Sequence, residues 1–214
     1  MGWLMMNLFY KYFIIFFVGS IVGWFVEVLY AYFRTKKFQN RSSVLYGPFG
    51  YVYGYGAVFL TIALSSFSNS SIIVTFIISF VTGTITEYII SYILEKSYGY
   101  VVWDYSKVKF NINGRVCLLY SIYWGFLGVI WSKYIIKIMD DITSFCYYKL
   151  GSEFLNFMLV CLTINSLISH LAIKRSGERV KNKRANNKID LLLDKYYSDE
   201  RLKKTFPQIF EYRR

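Results

Sequence analysis

Metal and thiol chemistry have little to draw on in this sequence. It holds three cysteines and one histidine. Cys117, Cys146 and Cys161 lack Cys-x-x-Cys spacing and no His-rich cluster accompanies them, so neither a metal site nor a disulfide framework is indicated. The lone His170 reads as a packed or interfacial residue, because a metal site needs several convergent ligands. No Gly-x-x-x-x-Gly-Lys-Ser/Thr loop occurs, which leaves any ATP hydrolysis to a separate subunit. No cofactor is called for. Acidic residues are scarce, 13 against 25 Lys and Arg, yet no nucleic-acid motif accompanies the basic excess, and nucleic acid is not an expected partner. The N-terminus carries no basic n-region and its first apolar run no small-residue cleavage signal, so that run is expected to remain as a helix.

What the chain has in abundance is apolar and aromatic side chains, 55% and 21% of its 214 residues. Several apolar runs exceed the length of a buried core helix, which places the protein in lipid. Spans are predicted near residues 12–33, 49–68, 72–94, 116–136 and 153–173. The expected fold is therefore an all-α polytopic transmembrane bundle of about five spans over residues 1–173, followed by a basic tail over 174–214. With five spans, 21 of the basic residues fall on one side and 4 on the other. The positive-inside rule then puts the C-terminus in the cytoplasm, the N-terminus outside, and the protein in the plasma membrane. In the tail, a solvated stretch through Lys188 gives way to an amphipathic pattern of Ile189, Leu192, Leu193, Tyr196 and Tyr197. Asn187 with Asp190 three residues on is a helix start. Such a helix suits the inner leaflet or a cytoplasmic partner, while a plain solvated tail that only enforces topology is the competing reading.

Glu27 and Glu87 each lie inside a predicted span. A carboxylate at membrane depth costs several kcal/mol, so it faces other helices and marks either a pathway or a structural ion pair. Gly19, Gly23 and Glu27 follow at i, i+4, i+8, as do Ser79, Gly83 and Glu87, and small residues mark the packing face of a membrane helix. Both carboxylates thus point into the bundle at similar depths. A duplicated hairpin is suggested by the shared spacing Gly23, Glu27, Tyr32 and Gly83, Glu87, Tyr92. It continues in Arg41 before Leu45-Tyr46 and Arg115 before Leu119-Tyr120. Parallel repeats of this kind occur in transporters, with a site at their interface. If the glutamates are structural, Arg41 and Arg115 from the adjoining loops are their predicted partners.

The first basic loop reads Asn40-Arg41, then Leu45-Tyr46-Gly47-Pro48, then Tyr53-Gly54 at the start of the next span. The second carries Trp103-Asp104-Tyr105-Ser106, Phe110-Asn111, the turn signal Asn113-Gly114 and Arg115 before Cys117-Leu118. Its length points to a functional loop, its aromatics equally to an interfacial belt. With Gly23-Trp24, Glu87-Tyr88 and Trp124-Gly125, and a weaker match at Leu193-Asp194, Tyr197, Glu200-Arg201 and Phe206-Pro207, these motifs resemble the putative ABC-transporter permease (type IV) family of bacterial multi-pass membrane proteins. The chain departs from that family at Ser42, where glycine is usual, and at Phe49-Gly50-Tyr51-Val52, where a Cys-Pro-Ile-like run is usual. The resemblance implies a membrane permease served by a separate ATPase subunit. Glu27, Glu87, Arg41, Arg115, Asn40, Asp104, Asn111 and Asn113 are the candidate binding or pathway residues, and Gly19, Gly23 and Gly83 the packing residues. A membrane-embedded enzyme at the cytoplasmic interface, using Glu27, Glu87, Asp104, Asn113 and Arg115, is the second reading. A non-transporting scaffold that recruits partners through its tail is the third, and a homo-oligomer is open in each.

The charge split makes topology testable. A reporter fused after Arg214 should be cytoplasmic, and one inserted between the second and third spans should be external. Finding both on one side would remove a span.

Overall fold

The computed structural model describes residues 2–42, 45–67, 69–99 and 101–207, with side chains from Leu8 onward. Helices dominate: α1 (Gly2–Thr35), α2 (Tyr51–Ser65), α3 (Ile72–Tyr98), α4 (Leu118–Ile130), α5 (Ile136–Phe145), α6 (Gly151–Val180), α7 (Lys188–Tyr196) and α8 (Asp199–Thr205). The exception is a two-stranded hairpin, β1 (Asn111–Ile112) and β2 (Val116–Cys117). Asn113 and Gly114 both adopt positive φ, 53° and 65°, the backbone that an Asn-Gly hairpin turn requires. The all-α bundle is as predicted, and the Asn-Gly signal marks a real turn.

Three stretches are long and apolar enough to cross a membrane by length and composition: Leu8–Thr35, Ile72–Tyr98 and Leu118–Val180. The shorter apolar helix α2 lies between the first two. Ser71 caps α3 by accepting from the Val74 amide, and Gly99, at φ 70°, ends it with its own N–H on the Glu95 carbonyl, the left-handed stop glycine favours. The 63-residue stretch is not straight. Wide five-residue turns join α4 to α5 and α5 to Gly151, where φ of 77° and ψ of 162° break the helical path. Beyond Gly151, α6 passes from Asn156, which accepts from the Tyr10 hydroxyl at 2.9 Å, to Ile173, packed with Ile90 and Leu94. It therefore meets α1 near Tyr10 and α3 near Ile90 and Leu94.

The segment between the fourth and fifth predicted spans differs from expectation. Its charges suggest a connector, but residues 136–145 are helical. Met139 enters the core with Trp131 and Ile15, while Asp140 on the exposed side meets Lys11 of α1 at 2.6 Å. An amphipathic helix there needs only one buried stripe.

The tail is not a solvated strand of charge. α6 continues past Lys174, and Arg175 is only 3% exposed. Its guanidinium takes both oxygens of Asp194 at 2.9 Å, while Arg179 reaches Asp194 at 2.7 Å and Asp199 at 2.5 Å. Asn187 accepts from the Asp190 amide as predicted, and Ser198 caps α8 in the same way. Leu193, Leu202 and Phe206 bury against Ile90, Leu94, Val102 and Ile173. Asn40 ties the first loop to the same unit, donating to the Thr205 carbonyl at 2.9 Å. Paired charges above an apolar seat dock the tail on its own bundle. Ile189, Leu191 and Leu192 stay exposed on the outer side of α7.

Breaking that clamp should free the tail. A hydrogen bond to a charged group contributes about 1.5–3 kcal/mol, so Arg175→Ala should speed tryptic cleavage at Lys195 and Lys203 by about tenfold or more. Asp194 is held below its ordinary value of 3.8, chiefly by the Arg175 hydrogen bonds, with Arg179 adding to them against the cost of burial. A lowered folded value stabilises the docked state fully above the ordinary value and is lost as pH falls through the lowered one. Hydrogen exchange should thus show α7 protected near neutrality and released by acidification below about 3.8.

Candidate functional site

The packing glycines decide where the two carboxylates go. A Cβ on Gly23 would overlap the Tyr53 ring of α2, and one on Gly83 would overlap the Trp124 indole of α4. Each aromatic can lie against the facing helix only because the glycine leaves room. One turn further on, the carboxylates collect the polar ends of those rings. Tyr53 Oη donates to Glu27 Oε1 at 2.5 Å, and Trp124 Nε1 to Glu87 Oε2 at 3.2 Å. Gly19 is in the same seam, where an added Cβ would press on Ala57 and meet Gly54. In each hairpin a glycine of the second helix sits over a serine hydroxyl of the first, Gly54 over Ser20 and Gly128 over Ser79.

The second loop supplies Glu87 with a further donor. Trp103 Nε1 donates to the Arg115 carbonyl at 2.8 Å and the Tyr105 amide to the Gly114 carbonyl at 2.8 Å, which folds residues 103–105 back over the hairpin. Tyr105 then stacks on Tyr120 with ring centroids 4.6 Å apart and donates its hydroxyl to Glu87 Oε1 at 2.9 Å. Burial, followed by the charge of Glu87, raises the Tyr105 phenol well above its ordinary range. It stays protonated as a donor. The loop thus places one of its aromatics, Tyr105, against Glu87.

Glu27 has a cation beside it, Arg41 Nε at 3.6 Å from Oε2, as the loop spacing predicts. Arg115 does otherwise. It pairs with Glu95, one helical stretch further along α3, and faces the rings of Tyr88 and Tyr92 at 5.8 and 5.5 Å. The proposed Glu87–Arg115 pair is therefore replaced, because α3 runs on to Tyr98 and brings Glu95 under the hairpin. Glu87, 5% exposed, makes no ion pair among the described residues.

Both glutamates line one cavity of about 380 Å³. Arg34, Arg41, Asp104 and Trp103 stand around it with Tyr30 and Tyr123. Tyr30 on α1 and Tyr123 on α4, both in this lining, are 55% and 54% exposed on otherwise apolar helix surfaces. Of the sequence candidates, Glu27, Glu87, Arg41 and Asp104 come together here. Asn40, Asn111, Asn113 and Arg115 are outside the lining. Asn40 accepts from Trp24 Nε1 at 3.0 Å, Asn111 braces the Gly114 turn, and Asn113 donates to the Tyr88 hydroxyl at 3.0 Å. The sequence reading missed Tyr53, Tyr105 and Trp124 as the glutamates' donors; the Gly-x-x-x-Glu spacing marks where a facing ring could enter. Among the described residues no cluster of three or more His, Cys, Asp or Glu side chains could hold a metal ion.

The ion pairs are open to a double-mutant test. Arg115→Gln should destabilise the detergent-solubilised protein by about 1.5–3 kcal/mol, and Glu95→Gln on top of it should recover much of the loss. Glu87→Gln should not. Thermal aggregation midpoints of the single and double variants decide between the two partners.

A family model described as putative ABC-transporter type IV matches residues 14–170. The match takes in the cavity and both hairpins and ends before α7. No curated protein and no solved structure matches the chain.

Proposed function

The chain belongs to the putative ABC-transporter type IV family of membrane proteins, and from that premise we propose that it is the membrane-embedded permease subunit of a transport system. The observation that carries the reading is the meeting of Glu27 and Glu87, from different hairpins, on one cavity that reaches the basic end of the bundle. Intramembrane carboxylates on a shared cavity are the usual construction of an ion or substrate pathway. In this reading α1, α2, α3, the α4–α5 unit and α6 make five crossings, the basic end faces the cytoplasm, and the N-terminus is outside. Residues 1–173 form the transport body and 174–214 its cytoplasmic appendage. Arg41 is the charge partner of Glu27, and Tyr105 closes the mouth over Glu87. ATP hydrolysis belongs to a separate ATPase subunit, for which the docked tail is the accessible surface. The enzyme reading loses ground because its anion-binding group, Arg115, is taken up by Glu95.

Two measurements test the proposal. Purification in mild detergent from the native host should bring down an ATPase; repeated recovery without one would defeat the coupled form of the reading. Glutamine keeps the shape of glutamate and removes its charge, so Glu27→Gln and Glu87→Gln should express at normal levels and lose transport by tenfold or more. Full activity in either variant would remove that residue from the pathway.

A further inference from the structure

Glu87 stands apart in the charge pattern by its burial. Glu27, Glu95, Asp140, Glu178, Asp194 and Asp199 each have a Lys or Arg partner. Glu87 is more buried than any of them, yet its oxygens meet only the neutral donors Tyr105 and Trp124. A buried carboxylate with hydrogen bonds but no cation keeps much of its desolvation cost. The cavity onto which it opens supplies no lysine. Its charged lining besides Glu87 is Glu27, Asp104, Arg34 and Arg41, and Arg41 is already beside Glu27.

The walls narrow down what could supply the missing charge. Eight of the seventeen lining residues are aromatic. Tyr53 and Trp124 come within 6.3 Å of each other between the two glutamates, and Tyr105 and Tyr120 form a stacked pair at the mouth. A small inorganic cation needs a shell of oxygen ligands, whereas both glutamates here already accept hydrogen bonds and, apart from Asp104 and the two arginines, the remaining wall is ring and aliphatic surface. Aromatic faces around a carboxylate attract a weakly hydrated organic cation, through the ring quadrupole and through contact with its methyl or methylene groups. A volume of about 380 Å³ is within the range of small-molecule pockets.

We infer that the cavity is a binding site for an alkylated ammonium ion, with its charge against Glu87 and its carbon groups against Tyr53 and Trp124. This rests on the permease reading only for the statement that the ligand is also carried; the binding itself does not. Tyr30 and Tyr123, half-exposed in the lining, offer ring surface to an apolar extension of the ligand.

Calorimetry on the full-length protein in detergent tests the inference, with tetramethylammonium and choline as probes and potassium chloride and sodium phosphate as controls. Saturable binding of both ammonium probes is expected, with neither control competing at equal concentration. Glu87→Gln should weaken it at least tenfold, and Tyr53→Leu several-fold without touching a charge. If Glu87→Gln does not yield monodisperse protein, Tyr53→Leu and Trp124→Leu carry the test. No ammonium binding to the intact protein, equal competition by potassium, or unchanged binding in the variants overturns the inference. Absence of ammonium binding in a protein that still transports sinks the ligand class alone. Intact binding with no transport in reconstituted vesicles counts against the permease reading and leaves the site standing.

Discussion

A carboxylate inside an apolar bundle must find donors that the lipid cannot give, and here they come from aromatic rings on the neighbouring helix. The arrangement works only because glycine precedes each glutamate by one turn. Gly23 lets Tyr53 close on α1, and Gly83 lets Trp124 close on α3. Adding a methyl group at either position would push the ring away and strip its hydrogen bond from the carboxylate. Helix separation, ring placement and glutamate solvation are thus one constraint. The cavity follows from it, because two large rings held between helices keep the mouth from collapsing.

The same logic appears at the basic end, with ion pairs replacing aromatic donors. Arg175 and Arg179 lie where α6 leaves the apolar layer, and each would be costly to bury alone. Asp194 and Asp199 meet them, while Leu202 and Phe206 fill the space beneath. Docking the tail therefore satisfies buried cations and an apolar surface together, which is why part of a strongly basic segment can be packed against the bundle.

Much of this was legible in the sequence, but unevenly. The i, i+4 spacing of small residues and glutamate gave the inward face, and Asn113-Gly114 and Asn187 gave a turn and a cap, because each of those signals is local. The Arg41–Glu27 pair was also within reach, since a short loop returns the arginine to the helix it left. Arg115 was assigned to the wrong carboxylate because its partner depends on how far α3 continues, and Glu95 lay beyond the predicted end of the span. The helical character of residues 136–145 was hidden by their charges, which sit on one side of a helix whose other side carries Met139. The docking of Asp194 and Asp199 could not be read at all. It joins groups that are adjacent only once the chain turns back after Val180, and no local pattern records such a turn.

The cavity and the tail are not independent parts. Tyr51, Val52, Val102 and Trp103 line the cavity and also pack against the cluster that holds Leu193, Leu202 and Phe206. One layer of side chains therefore has the cavity on one side and the docked tail on the other. Asn40 adds a polar link, holding Trp24 of α1 with its side-chain oxygen and the end of α8 with its nitrogen. Trp24 stands one turn before Glu27's neighbours on the same helix. Close-packed interiors move between discrete arrangements rather than deforming smoothly. Any shift of the tail would have to repack this shared layer, and in doing so would alter a wall of the cavity that Glu87 lines. Coupling between the docked tail and the two carboxylates needs no long relay in such a structure: the two surfaces are the two sides of one wall.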